Sequence, residues 1–260
     1  MRRRFKVPWL GAYTLLVFAF LFAPIALVVL FSFNKTASLT FPFHGFSLRW
    51  YRYIFTSPTY TSAALSSLQV GLTTLVVVAI VGTMAALGIT RNEFPGRRVL
   101  RSVLFAPAAL PGLFTGIALL TFFVQVHVPL PLWTVTAGHV IYTLPYFFLV
   151  ANSRLNRFDV LLEESARDLG ASPWQTFRKV TLPIIAPTLI AGALVVFSLS
   201  WDEVYITFFT VGSRSTLPIV VYSTVRQAVD PSVNAISALL LAGSLVFIFG
   251  IRRFLADVQQ

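Results

Sequence analysis

Residues 7–34, VPWLGAYTLLVFAFLFAPIALVVLFSFN, contain no Asp, Glu, Lys or Arg. Four other stretches of the chain are equally free of charge: 53–90, 102–153, 180–201 and 231–251. A helix needs about 20 predominantly apolar residues to cross the hydrocarbon core of a bilayer. Each of these stretches is long enough, so the sequence predicts an all-α membrane protein.

The stretch 102–153 is long enough for two crossings, and Val128-Pro129-Leu130-Pro131 divides it near its middle. We therefore predict six transmembrane helices in one membrane domain that covers residues 1–260. The predicted spans lie near 9–31, 62–89, 102–124, 133–151, 184–208 and 233–251. The first apolar stretch exceeds the 7–15 residues of a signal-peptide core, so it is predicted to be a retained span.

The composition agrees with a membrane protein and excludes several other classes. Hydrophobic residues make up 57% of the 260 residues, and only 11% are charged, against about 25% in ordinary globular domains. A net charge of +11 would suggest nucleic acid in a soluble protein, but no nucleic-acid partner is predicted for a chain this apolar. The absence of cysteine from the sequence excludes disulfides and thiolate metal sites.

The Lys and Arg residues predict the orientation, because short cytoplasmic loops are enriched in them. An even number of spans places both termini on one side, and 15 of the 20 basic residues fall on that side. Both termini are therefore predicted to be cytoplasmic. The basic residues there are expected to contact the anionic headgroups of membrane lipids.

The longest predicted cytoplasmic connection, 152–183, has the signals of two short helices. Asp159 can cap the first helix, and Gly170 follows it as a stop. Ser172 and Pro173 begin the second helix, which is predicted to end at Lys179. One apolar stripe lies on the first helix: Leu161, Leu162, Ala166 and Leu169. The segment either folds back on the helix bundle or forms a docking knob for a cytoplasmic partner.

This loop carries a recognisable pattern. Glu164-Ser165-Ala166, three residues, Gly170, nine residues and Val180-Thr181-Leu182-Pro183 resemble the signature loop of bacterial ABC importer permeases. The family pattern reads Glu-Ala-Ala, three residues, Gly, nine residues and Ile-x-Leu-Pro, so Ser165 and Val180 are the two departures. The resemblance implies the type I ABC importer permease (MetI-like) fold, with 152–183 as the coupling loop that contacts a cytoplasmic ATPase. The residues assigned to ATPase coupling are Glu163, Glu164, Ser165, Ala166, Asp168, Leu169, Gly170 and Pro183.

The resemblance covers nearly the whole chain and is most specific for the second permease of spermidine/putrescine-type importers. It is carried by Leu110–Gly116, Leu199–Glu203, Thr216–Pro218 and Pro231–Ala235. It implies a bacterial inner-membrane permease with a sister permease, a cytoplasmic ATPase dimer and an extracytoplasmic solute-binding protein as partners. Polyamine permeases carry an acid where this chain has Gly112, so an opine or an amino-acid-like amine is the alternative solute.

Asp202 and Glu203 are the only acidic residues within a predicted span. Such residues normally face a bundle interior or a water-filled path, and neighbouring helical residues point about 100° apart. One of them, with Asp202 favoured, is expected to attract a cationic solute. The alternative is a structural ion pair with Arg214, Arg226 or the sister subunit. The predicted substrate path comprises Asp202, Glu203, Trp201, Tyr205, Tyr142 and Gly112.

Catalytic signatures are missing from the sequence. It contains no Gly-x-x-x-x-Gly-Lys-Ser/Thr phosphate loop and no metal-ligand spacing of His, Asp or Glu. We therefore predict a transport subunit with no cofactor of its own, and assign ATP and Mg²⁺ to the partner ATPase. His139, the only histidine within a span, is interpreted as a structural residue. The competing hypotheses are a secondary carrier and a membrane enzyme.

Overall fold

A computed structural model describes residues 8–37, 41–227 and 231–258, with side chains described for 9–37, 41–227 and 231–245. These residues form helices, together with one isolated antiparallel bridge between Asn34 and Phe46. The α-helices are α1 Pro8–Ser32, α2 Arg49–Thr56, α3 Pro58–Arg91, α4 Arg97–Phe105, α5 Gly112–Gln125, α6 Leu132–Asn156, α7 Leu161–Asp168, α8 Pro173–Thr176, α9 Leu182–Trp201, α10 Tyr205–Thr210, α11 Leu217–Gln227 and α12 Pro231–Val258.

Four described helices are long and apolar enough to cross a membrane: Trp9–Ser32, Pro58–Arg91, Leu132–Asn156 and Pro173–Trp201. A fifth crossing is possible if the bent pair formed by Arg97–Ala109 and Gly112–Gln125 is counted as one span. Helix α12 is apolar over its described side chains, Pro231–Leu245. The all-helical prediction is thus confirmed, whereas six spans in a single domain stay a prediction. The predicted location of the termini concerns residues that lie largely outside the described ones.

The predicted span 102–124 is not one straight helix. Helix α4 continues as a 3₁₀ turn over Ala106–Ala109, and the chain then bends by 108° before α5. Pro107 and Pro111 lie at the two sides of this bend. Proline has no N–H to donate and its ring clashes with the preceding turn, which explains why the helix breaks here.

The helix predicted to end at Lys179 instead continues into the next predicted span. Residues Pro173–Trp201 form one helical segment of 29 residues, in which Phe177–Thr181 is a π-helical turn. Pro183 cannot donate a hydrogen bond to the carbonyl one turn earlier. The wider π turn just before it lets the helix continue through this proline.

The predicted span 184–208 is interrupted near its end. Helix α9 stops at Trp201, residues 202–204 are not helical, and the short helix α10 follows. The break therefore lies at the two acidic residues that the sequence places within this span.

Contacts divide the chain into two units, one of residues 1–61 and 221–250 and the other of 62–220 and 251–260. In the first unit, Trp50 donates from Nε1 to the backbone oxygen of Asn34 (2.8 Å), and the hydroxyls of Tyr60 and Ser232 lie 2.9 Å apart. These buried polar contacts hold α2 against the end of α1 and connect the first turns of α3 and α12, which both belong to this unit.

The second unit contains the core that positions the candidate site. Helices α6 and α9 pack against each other, and the fully buried side chains of Phe147, Phe148, Ile185 and Val196 fill the space between them. Val78 brings α3 into the same cluster. Helices within a membrane associate through close van der Waals packing of this kind, so these three helices support the loops at their ends.

Candidate functional site

The loop before α9 has the local structure that the sequence predicts. Asp159 Oδ1 accepts a hydrogen bond from the backbone N–H of Leu161 (3.1 Å) and so caps α7. Gly170 adopts φ +85°, a conformation that glycine enters without steric cost. Its N–H donates to the oxygen of Arg167 (2.8 Å), and the N–H of Ala171 donates to that of Ala166 (3.0 Å). This pair of bonds is a Schellman motif, which ends the helix sharply.

The next helical segment begins with a capping box. Ser172 Oγ accepts from the N–H of Gln175 (3.3 Å), and Gln175 Oε1 accepts from the N–H of Ser172 (2.9 Å). Pro173 occupies the first position of the helix, as predicted. The two helices of the loop are thus joined by the turn 169–172 alone.

The predicted coupling residues separate into an exposed group and a buried one. Leu169 is 90% exposed, and Glu164, Ser165, Asp168 and Gly170 are exposed beside it. Ala166 is half-buried, and Pro183 lies apart from the loop in the first turn of α9. Leu161, Leu162 and Trp174 add further exposed apolar surface. The loop therefore presents an apolar knob surrounded by charged residues, which are acidic at Glu164 and Asp168 and basic at Arg167.

Glu163 differs from its neighbour Glu164, because it points into the second unit and is only 7% exposed. Its Oε1 accepts hydrogen bonds from Arg91 Nη2 (3.1 Å) and from Thr181 Oγ1 (2.8 Å). Sequence reasoning missed Arg91 and Thr181. An available signal was that Arg91 is the basic residue directly after the charge-free run 53–90.

The two acidic residues at the break between α9 and α10 also have different environments. Asp202 is exposed, whereas Glu203 is only 9% exposed. Glu203 Oε1 accepts from the N–H of Ile206 (2.9 Å), and its backbone oxygen accepts from Thr207 Oγ1 (2.9 Å). Glu203 therefore caps α10, and Asp202 is the acid that remains accessible.

Two buried hydrogen bonds hold the ends of this break. His139 on α6 is 1% exposed, with Nδ1 2.7 Å from Ser200 Oγ and Nε2 2.8 Å from Thr207 Oγ1. Both ring nitrogens are satisfied, as the structural interpretation of this histidine predicts. One side chain thus ties the end of α9 and the middle of α10 to α6.

Helix α5 approaches the break closely through its glycines. A Cβ added at Gly116 would lie 2.9 Å from Phe209 Cδ2 and 3.0 Å from the backbone oxygen of Tyr205, so a larger residue requires a shift. A Cβ added at Gly112 would lie 3.2 Å from Glu203 Oε1. An acidic side chain at position 112 would therefore start beside a carboxylate of the same charge.

The predicted aromatic residues are partly accessible. Trp201 is half-buried, with its ring 5.6 Å from that of Phe197, and the rings of Tyr142 and Tyr146 are 5.8 Å apart on α6. Tyr205, at the start of α10, is exposed. Tyr205 and Asp202 are thus the exposed members of the predicted path at the break.

The alternative of a structural ion pair finds no support within the second unit. Among its described residues, Arg91 and Glu163 form a salt bridge, whereas Asp202 and Glu203 form none. Arg214 is exposed. Across the described residues of the chain, no group of three or more His, Cys, Asp or Glu side chains could hold a metal ion. The absence of a cofactor remains a prediction.

The fold resembles solved importers. A crystal structure of a bacterial ABC transporter involved in the import of the acidic polysaccharide alginate contains a chain that superposes with a TM-score of 0.76. The match covers 97% of this chain and 98% of that one at 13% sequence identity. The two chains therefore share this helical fold.

The family follows from the sequence. Residues 78–259 match the family described as binding-protein-dependent transport system inner membrane component, and the chain belongs to it. The chain is 34% identical over 239 residues to the spermidine/putrescine transport system permease protein PotC of Haemophilus influenzae, covering 92% of this chain and 93% of that relative. It is 36% identical over 244 residues to the putrescine transport system permease protein PotI of Escherichia coli K12, with 91% and 86% coverage.

Family membership and the apolar helices make this chain a multi-pass membrane protein. They also confirm the interpretation as a permease subunit of a transport system rather than an enzyme.

Proposed function

We propose that this chain forms half of the translocation path of an ATP-driven importer for a small cationic amine, most specifically a polyamine such as putrescine or spermidine. Its relatives PotC and PotI, which are permeases of spermidine/putrescine and putrescine transport systems, support this class of solute. The single observation that carries the proposal is the exposed carboxylate of Asp202 at the α9–α10 break. A carboxylate within a predicted span is costly unless it faces water or a charged partner, and a solute cation supplies such a partner.

The exposed ring of Tyr205 lies three residues beyond Asp202 and can contribute a cation–π contact. Trp201 and Tyr142 belong to the same proposed path. Glu203 and Gly112 form the buried wall of the path. The Glu203 carboxylate caps α10 and lies against Gly112, so it is not available to the solute.

The proposed partners are a sister permease, a cytoplasmic ATPase dimer that holds ATP and Mg²⁺, and an extracytoplasmic solute-binding protein. The apolar knob around Leu169 docks on the ATPase, with Glu164 and Asp168 at its edge. Closure of the ATPase dimer on ATP then moves the loop and opens the path outward, and hydrolysis resets it. The chain lies in a bacterial cytoplasmic membrane with six spans and both termini inside.

A second class of solute has one observation in its favour. Gly112 stands where polyamine permeases carry an acid, and the structure places Glu203 directly against this position. A path with fewer accessible acids would suit a solute with a single amine, such as an opine or an amino-acid-like amine.

Two measurements test the proposal. Purification of the tagged chain is expected to bring down an ATPase and a second permease; recovery of the chain alone would instead favour a secondary carrier or a membrane enzyme. Calorimetry on the cognate binding protein, titrated with putrescine, spermidine and single-amine solutes, identifies the solute. Binding of single-amine solutes without polyamine binding would contradict the polyamine assignment and leave the importer assignment intact.

A further inference from the structure

Two helices of the second unit meet on one carboxylate of the coupling loop. Arg91 is the last residue of α3, and Thr181 is the last residue of the π turn that leads into α9. Both donate to the same oxygen of Glu163, over 3.1 and 2.8 Å. The loop helix α7 is thereby bonded to two long helices through a single buried side chain.

The surroundings of this contact restrain it further. The guanidinium carbon of Arg91 lies 5.2 Å from the ring centroid of Phe158. Phe158 is buried and directly precedes Asp159, the cap of α7. Arg91 therefore contacts the chain just before α7 as well as the first turn of α7, so both are held to the end of α3.

The burial of Glu163 determines how strongly a movement of α7 is coupled to α3 and α9 through this contact. An exposed ion pair contributes about 0–1 kcal/mol and is screened by salt. Here the side chain of Glu163 is 9% exposed and that of Arg91 21%, and a movement of α7 away from α3 or α9 would separate the Glu163 carboxylate from its partners. Such a loss is strongly unfavourable, so α7 and the two helix ends are expected to move together.

We propose that Glu163 is a positioning residue for energy coupling, whose carboxylate passes the displacement of the coupling loop to α3 and α9. The inference rests on the proposed function only in assigning this loop to the ATPase. Its neighbour Glu164 is exposed and faces outward. The adjacent acids thus have separate roles, one within the permease and one toward the partner.

The test uses the complex purified through a tag on this chain and reconstituted in vesicles. Glu163→Gln, Arg91→Gln and the double variant are compared for putrescine uptake and ATP hydrolysis in the same vesicles. Each single variant is expected to lower uptake per ATP about tenfold, a typical coupling effect, with the yield of co-purified ATPase unchanged. The double variant is expected to be no worse than either single one, because the two groups act through one contact.

Matched variants separate positioning from folding. Thr181→Ser keeps the hydroxyl that donates to Glu163, and Thr181→Val removes it at similar size. Glu93→Gln removes an exposed acid two residues beyond Arg91. Thr181→Ser and Glu93→Gln are expected to transport as the wild type does, while Thr181→Val shows a reduced uptake per ATP.

Unchanged uptake per ATP in Glu163→Gln would overturn the proposal, as would a parallel fall in uptake and in ATPase yield.

If wild-type vesicles take up no putrescine, the proposed solute is wrong, and a second measurement tests the role of Glu163. Because the chain has no cysteine, spin labels can be placed at Val160→Cys and Met84→Cys, both of which are exposed sites. A broader distance distribution in Glu163→Gln supports the linkage, and an unchanged one refutes it.

Discussion

Replacing His139 by leucine probes the support of the α9–α10 break. The substitution keeps the bulk of the side chain and removes both hydrogen bonds, to Ser200 and to Thr207. Thr207 still donates to the backbone oxygen of Glu203 (2.9 Å), so Ser200 is the hydroxyl that loses its partner. A hydrogen bond between membrane helices contributes about 0.6 kcal/mol on average and at most about 1.7. Two of them give a loss of about 1–3 kcal/mol in the free energy of unfolding.

The loss is measured by unfolding the purified chain in mixed detergent–SDS micelles, followed by circular dichroism. Ser200→Ala removes one of the two hydrogen bonds and is expected to cost about half as much. Thr136→Val on the same helix is the control, because among the described residues the hydrogen bonds of its hydroxyl are long, at 3.4 Å. It is expected to change the free energy by less than about 0.5 kcal/mol.

Transport completes this test. His139→Leu removes the hydrogen bonds that hold α9 and α10 on either side of Asp202. Solute uptake is therefore expected to fall while the ATPase still co-purifies. The reasoning is refuted if His139→Leu unfolds like the Thr136→Val control and transports normally. Additive losses for His139→Leu and Ser200→Ala in the double variant would also contradict a shared hydrogen bond.

Three other substitutions address the remaining parts of the site. Asp202→Asn is expected to lower uptake of a cationic solute more than it lowers the yield of co-purified ATPase; equal losses would favour a structural role. Glu164→Lys is expected to abolish uptake with membrane insertion intact, because this exposed acid lies at the edge of the surface proposed to dock on the ATPase, and normal uptake would refute this. Gly170→Pro should also abolish uptake, since proline cannot adopt φ +85° or donate to Arg167; uptake at the wild-type level would show that the sharp turn is dispensable.

The caps of the coupling loop were predictable from the sequence to the residue. These caps are hydrogen bonds between residues close together in the chain. Asp159 accepts from Leu161, Ser172 accepts from Gln175, and Gly170 donates to Arg167. Interactions of this range depend on the local chain alone. The predicted end at Lys179 was wrong for a related reason, since Pro183 is a strong local signal and the π turn that accommodates it is not visible in the residue pattern.

The position of Asp202 and Glu203 in the chain could be predicted from the sequence, but which of the two is accessible could not be determined from it. Charge counting places Asp202 and Glu203 in one predicted span, and the helical angle indicates that they point in different directions. Which acid is accessible depends on the helix break after Trp201 and on the close approach of α5 at Gly112. Neither the break nor the approach has a local sequence signal strong enough to predict it.

The sequence by itself determined the membrane class, the approximate position of the apolar helices and the loop motif of the family. These properties follow from apolar run length and from local backbone chemistry. Only the tertiary structure decided that Glu163 is buried against Arg91, 72 residues away, and that His139 joins two segments 61 and 68 residues away. Contacts of this kind depend on how helices pack, and packing is set by all the facing side chains together rather than by any one stretch of the chain.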